Sequence, residues 1–253
     1  MMMRGVHRFF AANKRLCKRI EPRLPQANID MFTLYVQIVT HYMNLRAEQT
    51  VADVGGGKSC PFAKYRDPTQ KTKIIAVDTS ESELEQNTDV DEKRVANVVQ
   101  GLPFETEEVD LIVSRSVLEH LENLDEFVAN STKSLKKGGY FIHLFPSKYA
   151  PFALINQALP HTFSKRVVDF FRPENKGICG FPALYRDCYY SALRRLLKKH
   201  NLDIVDIHVS YYQSLYFSFF APLFLISALY ELLIQTLGAK NLCAYILVIA
   251  RKS

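Results

Sequence analysis

Hydrophobic and polar positions change their rhythm along the chain. Residues 4–20 (RGVHRFFAANKRLCKRI) set Phe9, Phe10, Leu16 and Ile20 among Arg4, Arg8, Lys14, Arg15, Lys18 and Arg19, the spacing of a short basic amphipathic helix. Pro22 and Pro25 end it, and a second helix is expected over residues 29–46, with Asn28 or Asp30 as its cap. From Thr50 the texture becomes short apolar runs separated by helical stretches. TVADV (50–54), KIIAVD (73–78), VDLIVS (109–114) and GYFIHLF (139–145) read as strands, while 80–87 and 123–136 have helical spacing. Repetition of strand, helix and strand predicts a parallel sheet covered on both faces.

After Phe145 the alternation is broken by Pro146, Pro151, Pro160, Pro173 and Pro182. Residues 146–182 therefore read as a long insertion. Connections beyond about 12–15 residues are usually functional or disordered, and this one is too rich in aromatic and aliphatic residues for disorder. It is expected to be a lid or acceptor-binding cap. A helix at 183–200 and strands at 203–210 and 242–250 complete the sheet.

Composition narrows the class. Of the 253 residues, 48% are hydrophobic and the net charge is +6, as in a folded globular protein. The charge is unevenly spread. Residues 1–50 carry 8 basic and 3 acidic side chains, 51–150 carry 12 and 17, 151–200 carry 9 and 3, and 201–253 carry 3 and 3. An acidic middle flanked by basic segments suggests that the flanks face an anionic partner. The competing reading, a solvated basic face, is preferred for 185–200. Cys17, Cys60, Cys179, Cys188 and Cys243 are widely spaced and contain no CxxC pair, which argues against a disulfide framework or a zinc site and fits a reducing, cytoplasmic compartment. Charges from Arg4 onward argue against a secretory signal.

The sharpest local feature is VADVGGGKS (51–59), an apolar strand ending near Asp53, then Gly55, Gly56 and Gly57, with a helix expected to start after them. Three readings compete. A phosphate-binding P-loop matches at Gly57-Lys58-Ser59, but its first glycine falls on Ala52 and Asp53 would repel phosphate. A dinucleotide fingerprint takes Gly55 and Gly57, but its third glycine falls on Cys60. An acidic residue just before a Gly-x-Gly turn suits instead a ligand with an amino group and no phosphates.

Together with IIAVD (74–78), GLPFETEEVDLIVSRSVLEHL (101–121) and LKKGGYFIHLFP (135–146), the loop resembles the class I S-adenosylmethionine-dependent methyltransferases of the small-molecule branch. The resemblance covers residues 50–146 and, more weakly, the last two strands. It implies a Rossmann-like α/β fold: a seven-stranded, mostly parallel sheet with an antiparallel last strand, helices on both faces and helical insertions. Within one methyltransferase domain spanning 1–253, residues 1–48 are basic N-terminal helices, 49–145 the cofactor-binding core, 146–182 the lid and 211–240 a hydrophobic helical insertion. The implied cofactor is S-adenosyl-L-methionine, held by Asp53, Gly55, Gly56, Gly57, Asp78 and Asn97. Asp78, at the carboxyl end of the second strand, can accept hydrogen bonds from both ribose hydroxyls. Asn97 stands near the adenine where the family often has Asp, and Ser59 where a third glycine is common.

Methyl transfer requires alignment and exclusion of water, and an O-methyltransferase gains from a base near the acceptor hydroxyl. His120, beside Glu119, and His143 are the candidate bases, each weighed against a structural role. Glu119, His120 and Glu122 are not taken as a metal site, and no metal is expected. Residues 209–230 (VSYYQSLYFSFFAPLFLISALY) contain no charge and have the length of a membrane span, about 20 residues. Strands on either side in one sheet argue against a span, and Pro222 divides the run. Core packing, interfacial insertion into a membrane and a homodimer interface remain. The basic flanks favour a peripheral location on the inner face of an anionic membrane. The expected acceptor is a small or lipid-linked molecule, methylated at oxygen. A P-loop nucleotide hydrolase and a non-catalytic membrane-associated scaffold are the alternatives, and nucleic acid is not favoured as a partner.

Overall fold

The computed structural model describes residues 2–27, 29–159 and 182–253, with backbone alone for 2–7. Seven strands, β1 (Glu48–Val54), β2 (Lys71–Asp78), β3 (Glu92–Val95), β4 (Val109–Arg115), β5 (Leu135–Pro146), β6 (Leu202–Ser210) and β7 (Tyr245–Lys252), form one sheet in the order β3-β2-β1-β4-β5-β7-β6. β1 to β5 pair in parallel, and β7 runs antiparallel to both β5 and β6. This is the seven-stranded, mostly parallel α/β sheet expected.

A parallel sheet covered on both sides buries successive residues of each strand in opposite cores, so its strands are nearly continuous in apolar residues. Val51 belongs to one core and Ala52 and Val54 to the other; likewise Leu111 and Ile112, Ile142 and Phe141 divide. On the first face lies α2 (Met31–Met43), which contributes Tyr35, Val39 and Met43. The second face is covered by α4 (Leu124–Ser134), α6 (Tyr190–Lys199) and the end of α7 (Ala221–Thr236), through residues such as Phe127, Leu193 and Ile234. Local chemistry sets the helix starts. Asp30 caps α2 through the Phe32 N–H, Ser80 caps α3 (Glu81–Gln86), and Asn123 caps α4. α1 (Met2–Ile20) and α5 (Pro151–Ala158) complete the helices of eight or more residues among those described.

Three features differ from the sequence reading. β3, with a half-exposed EKRV sequence at the sheet edge, has no apolar alternation to mark it. The helix expected from 183 starts at Tyr190, because Tyr185 and Asp187 adopt left-handed φ of 53° and 56° and the Leu184 and Tyr185 N–H groups donate to the Glu119 carbonyl. No helix follows the glycine loop; residues 58–62 are turns and a short 3₁₀ turn spans Ala63–Tyr65. Of the 146–182 insertion, α5 is observed and 160–181 lie outside the described residues, as does Cys179. The uncharged stretch 209–230 is divided between the end of β6, a 3₁₀ turn (Ser214–Phe217) and α7. No described helix is long and apolar enough to cross a membrane.

Candidate functional site

The carboxyl ends of β1, β2 and β4 converge beside the glycine loop. After Val54 the chain turns over the end of β2, the Gly55 and Gly56 N–H groups both donating to the Val77 carbonyl at 2.7 and 3.3 Å. Gly55 has φ +69°, and a Cβ there would stand 2.3 Å from Val117 Cγ2, so both backbone conformation and space demand glycine. At Gly56 the constraint is close approach, since a Cβ would meet that of Ala76 at 2.8 Å.

Asp78 ends β2 and holds the loop. One carboxylate oxygen accepts the Gly57 N–H at 3.1 Å and the other the Ser80 N–H at 3.0 Å. Each oxygen retains acceptor capacity for a further donor. Asn87 donates to the Gly56 and Gly57 carbonyls at 3.0 and 3.2 Å, and Asp89 accepts the Cys60 N–H at 2.9 Å. These two residues were missed in the sequence because they lie in a polar turn without motif character. Asp89, like Asp78, ties a loop N–H to a carboxylate, the reverse of a phosphate cradle, while Asn87 holds two of the loop's carbonyls. Without a helix N-terminus behind Gly57, the P-loop alternative has neither of the features that bind phosphate.

Asp53 is buried, 5% exposed. Burial pushes its carboxyl up to about 7; the Cys60 thiol and Arg115 oppose this and Asp78 adds to it. The same burial, with Asp53 beside it, pushes the Cys60 thiol well up. Asn97 follows β3 on the exposed surface next to the end of β2, where the Ala96 N–H donates to the Asp78 carbonyl. The side-chain oxygen of Asn97 accepts its own turn's Val99 N–H at 3.1 Å, so part of the acceptor capacity expected for adenine is already used.

The two histidines separate. His143 on β5 is wholly buried, its Nδ1 within 2.6 Å of Ser114 Oγ and its ring 3.7 Å from that of Phe141. Burial holds its pKa well below the ordinary value. It lies in the core beneath the carboxyl edge. His120 ends a 3₁₀ turn after β4 (Leu118–His120), with its side chain 32% exposed, Nδ1 at 3.1 Å from the Pro182 carbonyl and Nε2 at 3.8 Å from Glu119 Oε1. Glu119 is buried, its other oxygen has no hydrogen-bond partner among the described residues, and burial raises its carboxyl to about 8. Glu122 is exposed and does not join them.

An aromatic wall rises at the same edge. Phe152 of α5 stacks on Tyr216 at 4.4 Å and on Tyr245 at 5.8 Å, Phe32 of α2 meets Tyr245 edge-on at 5.8 Å, and the Tyr216 and Tyr245 hydroxyls are hydrogen-bonded. Tyr245 pairs with Pro146, the last residue of β5. No sequence motif announces this wall, because its members come from four separate segments.

Comparison with known proteins bears on the fold that carries this site. Residues 52–143 match the family described as methyltransferase domain. No curated protein sequence matches the chain. Among solved structures, geranyl diphosphate C-methyltransferase from Streptomyces coelicolor A3(2) is similar at TM-score 0.55 and 12% identity, over 87% of this chain and 76% of that one. The YcgJ protein of Bacillus subtilis is similar at TM-score 0.54 and 15% identity, over 87% and 98%. The [4+2]-cyclase SpnF is similar at TM-score 0.54 and 14% identity, over 86% and 79%. The chain has the fold of the class I S-adenosylmethionine-dependent methyltransferases, and its 52–143 segment matches a methyltransferase domain.

Proposed function

We propose that this chain, with its methyltransferase domain at 52–143, binds S-adenosylmethionine and transfers the methyl group to a small or lipid-linked acceptor, at oxygen. The observation that carries the reading is the Gly55–Gly57 turn laid over the end of β2 with Asp78 beneath Gly57, a carboxylate with spare acceptor capacity at the carboxyl edge of the sheet. The residues fit the cofactor in kind. Asp78 would accept from the ribose hydroxyls, Gly55 to Gly57 would let the ligand approach the backbone, and Asn97 would border the adenine. Asp53 would set the negative potential for the ligand's amino group; its rise to about 7 in the free protein reports burial that outweighs the opposing Cys60 thiol and Arg115. When bound, the cofactor supplies a methyl group on a positively charged sulfur.

What remains for the protein is to orient the acceptor, exclude water and remove a proton. The aromatic wall of Phe32, Phe152, Tyr216 and Tyr245 gives an apolar surface against which an acceptor can be held. His120 is the better base of the two histidines, because it reaches solvent and stands 3.8 Å from Glu119 Oε1, whereas His143 has no exposed surface. The Glu119 carboxyl, raised to about 8 by burial, already holds its proton near neutral pH, so the proton that His120 takes up leaves it to the solvent that its ring reaches.

Calorimetric titration with S-adenosylmethionine and S-adenosylhomocysteine, with ATP as control, tests the assignment. Saturable binding of the sulfur ligands alone is expected; binding of ATP alone, or of none of the three, refutes it. Since SpnF is a cyclase on the same fold, binding is to be followed by an assay of methyl transfer with radiolabelled cofactor.

A further inference from the structure

Helix α7 has its polarity turned inside out. Leu225, Ile226, Leu229, Leu233 and Leu237 at and beyond its outer face are 44%, 63%, 67%, 56% and 70% exposed. Their spacing places them along one stripe. The only charged residue of the helix, Glu231, faces inward and accepts hydrogen bonds from the Gln213 N–H and the Ser214 and Ser227 hydroxyls. A surface helix of a soluble protein carries the opposite arrangement. The apolar stripe is not scattered exposure of single side chains but a continuous ridge, and the described residues leave it uncovered.

Beside it lies the most cationic helix among the described residues. α1 contains no acidic residue, and Arg8, Lys14, Arg15, Lys18 and Arg19 are all exposed along it, together with Phe9 and Leu16 at 52% and 49%. The two helices are joined at the start of α7. Phe9 meets Phe220 at 6.4 Å, Asn13 accepts the Ala221 N–H at 2.9 Å, and Cys17 packs with Ala221 and Phe224. Phe9 and Phe220, both exposed, thus carry the apolar surface from one helix to the other.

We infer that α1 and α7 together form a docking surface for an anionic lipid bilayer, the leucine ridge entering the headgroup boundary while the α1 cations meet lipid phosphates. Charge chooses this occupant over a second copy of the chain, because pairing two ridges would bring two rows of Lys and Arg near one another. Position adds a consequence that rests on the methyltransferase reading. β6 runs antiparallel to β7 and ends at Ser210 opposite Tyr245, so the segment leading into α7 leaves the sheet at the edge that holds the aromatic wall. A bilayer-held acceptor would meet the site without crossing water.

Flotation of the full chain with vesicles tests the docking. The comparison is between phosphatidylcholine alone and phosphatidylcholine containing about 30% phosphatidylserine, at low and high salt. Expected is binding at least about tenfold stronger to the anionic vesicles and weakened by salt. Two variants should each remove most of it: Ile226→Glu with Leu229→Glu, and Arg15→Glu with Lys18→Glu and Arg19→Glu. Both sets of positions are exposed, so unchanged melting temperatures and unchanged S-adenosylhomocysteine titration certify folded protein. Equal binding to neutral and anionic vesicles, or no binding, overturns the proposal. So does a concentration-dependent dimer in sedimentation that Leu229→Glu dissociates while vesicle binding is absent. If the wild-type chain floats but binds no S-adenosylhomocysteine, docking stands and the methyltransferase reading fails.

Discussion

Asp78 is the residue on which the cofactor site turns, and Asp78→Asn separates its two roles. In the free protein its oxygens hold the Gly57 and Ser80 N–H groups at 3.1 and 3.0 Å. Asparagine keeps one acceptor and puts an NH₂ where the other oxygen was, so one backbone donor loses its partner and the negative charge disappears. The loop would lose about 1 kcal/mol, the net worth of one such bond. For the ligand the loss is larger. A ribose hydroxyl donating to a carboxylate contributes about 1.5–3 kcal/mol, which corresponds to roughly 10–150-fold weaker binding of S-adenosylhomocysteine. The assay is calorimetric titration of wild type and variant with S-adenosylhomocysteine and with its 2′-deoxy analogue, alongside a thermal melt. Wild type should discriminate between the two ligands and Asp78→Asn should largely cease to do so, since the coupling resides in that contact. Affinity within about twofold of wild type, or undiminished discrimination against the deoxy analogue, would refute the ribose role and leave Asp78 as a loop tether alone.

Two further outcomes follow from the same geometry. Gly55→Ala puts a methyl group 2.3 Å from Val117 Cγ2 at φ +69°; S-adenosylhomocysteine binding should be lost or weakened by more than about tenfold, with Val117→Ala recovering only the steric part, as read by titration of the single and double variants. The buried carboxyls also set the pH dependence of folding. Glu119 and Asp53 have folded pKa values raised to about 8 and about 7, so above their unfolded values the native state binds the extra protons and stability falls as pH rises through that window. His143, kept neutral by burial, acts in the other direction only below its unfolded value of about 6.5, so between pH 7 and 8 the carboxyls dominate. Denaturant melts of the free protein should lose about 1 kcal/mol across that interval, and Glu119→Gln should lose much less; a flat or rising profile in the wild type would contradict the burial argument.

How much of this was legible beforehand depends on the range of the interactions. Strand alternation in 50–54, 73–78, 109–114 and 139–145, and the glycines after Val54, are local signals, and they located β1, β2, β4 and β5 to within a few residues, as the runs at 203–210 and 242–250 located β6 and β7. Phe145 and Pro146 marked the end of β5, and Asp30, one of two candidate caps, is the one used by α2. β3 escaped because four half-exposed residues at an edge carry no periodicity. The missing helix after Gly57 is a tertiary effect: Asp78, Asn87 and Asp89, 21 or more residues away, hold the Gly57 and Cys60 N–H groups and the Gly56 and Gly57 carbonyls in a turn.

The sequence by itself determined the sheet, the nucleotide-like glycine turn and the acidic end of β2, because backbone propensity and burial period act over a few neighbours. The apolar run GYFIHLF already pointed His143 to a structural place, whereas the exposure of His120 beside a buried Glu119 was decided by packing. Tertiary structure also assembled the aromatic wall from four segments and turned the leucines of α7 outward while Glu231 turned in. Those outcomes depend on which face of an element finds a partner, and that is fixed only when the elements pack against one another.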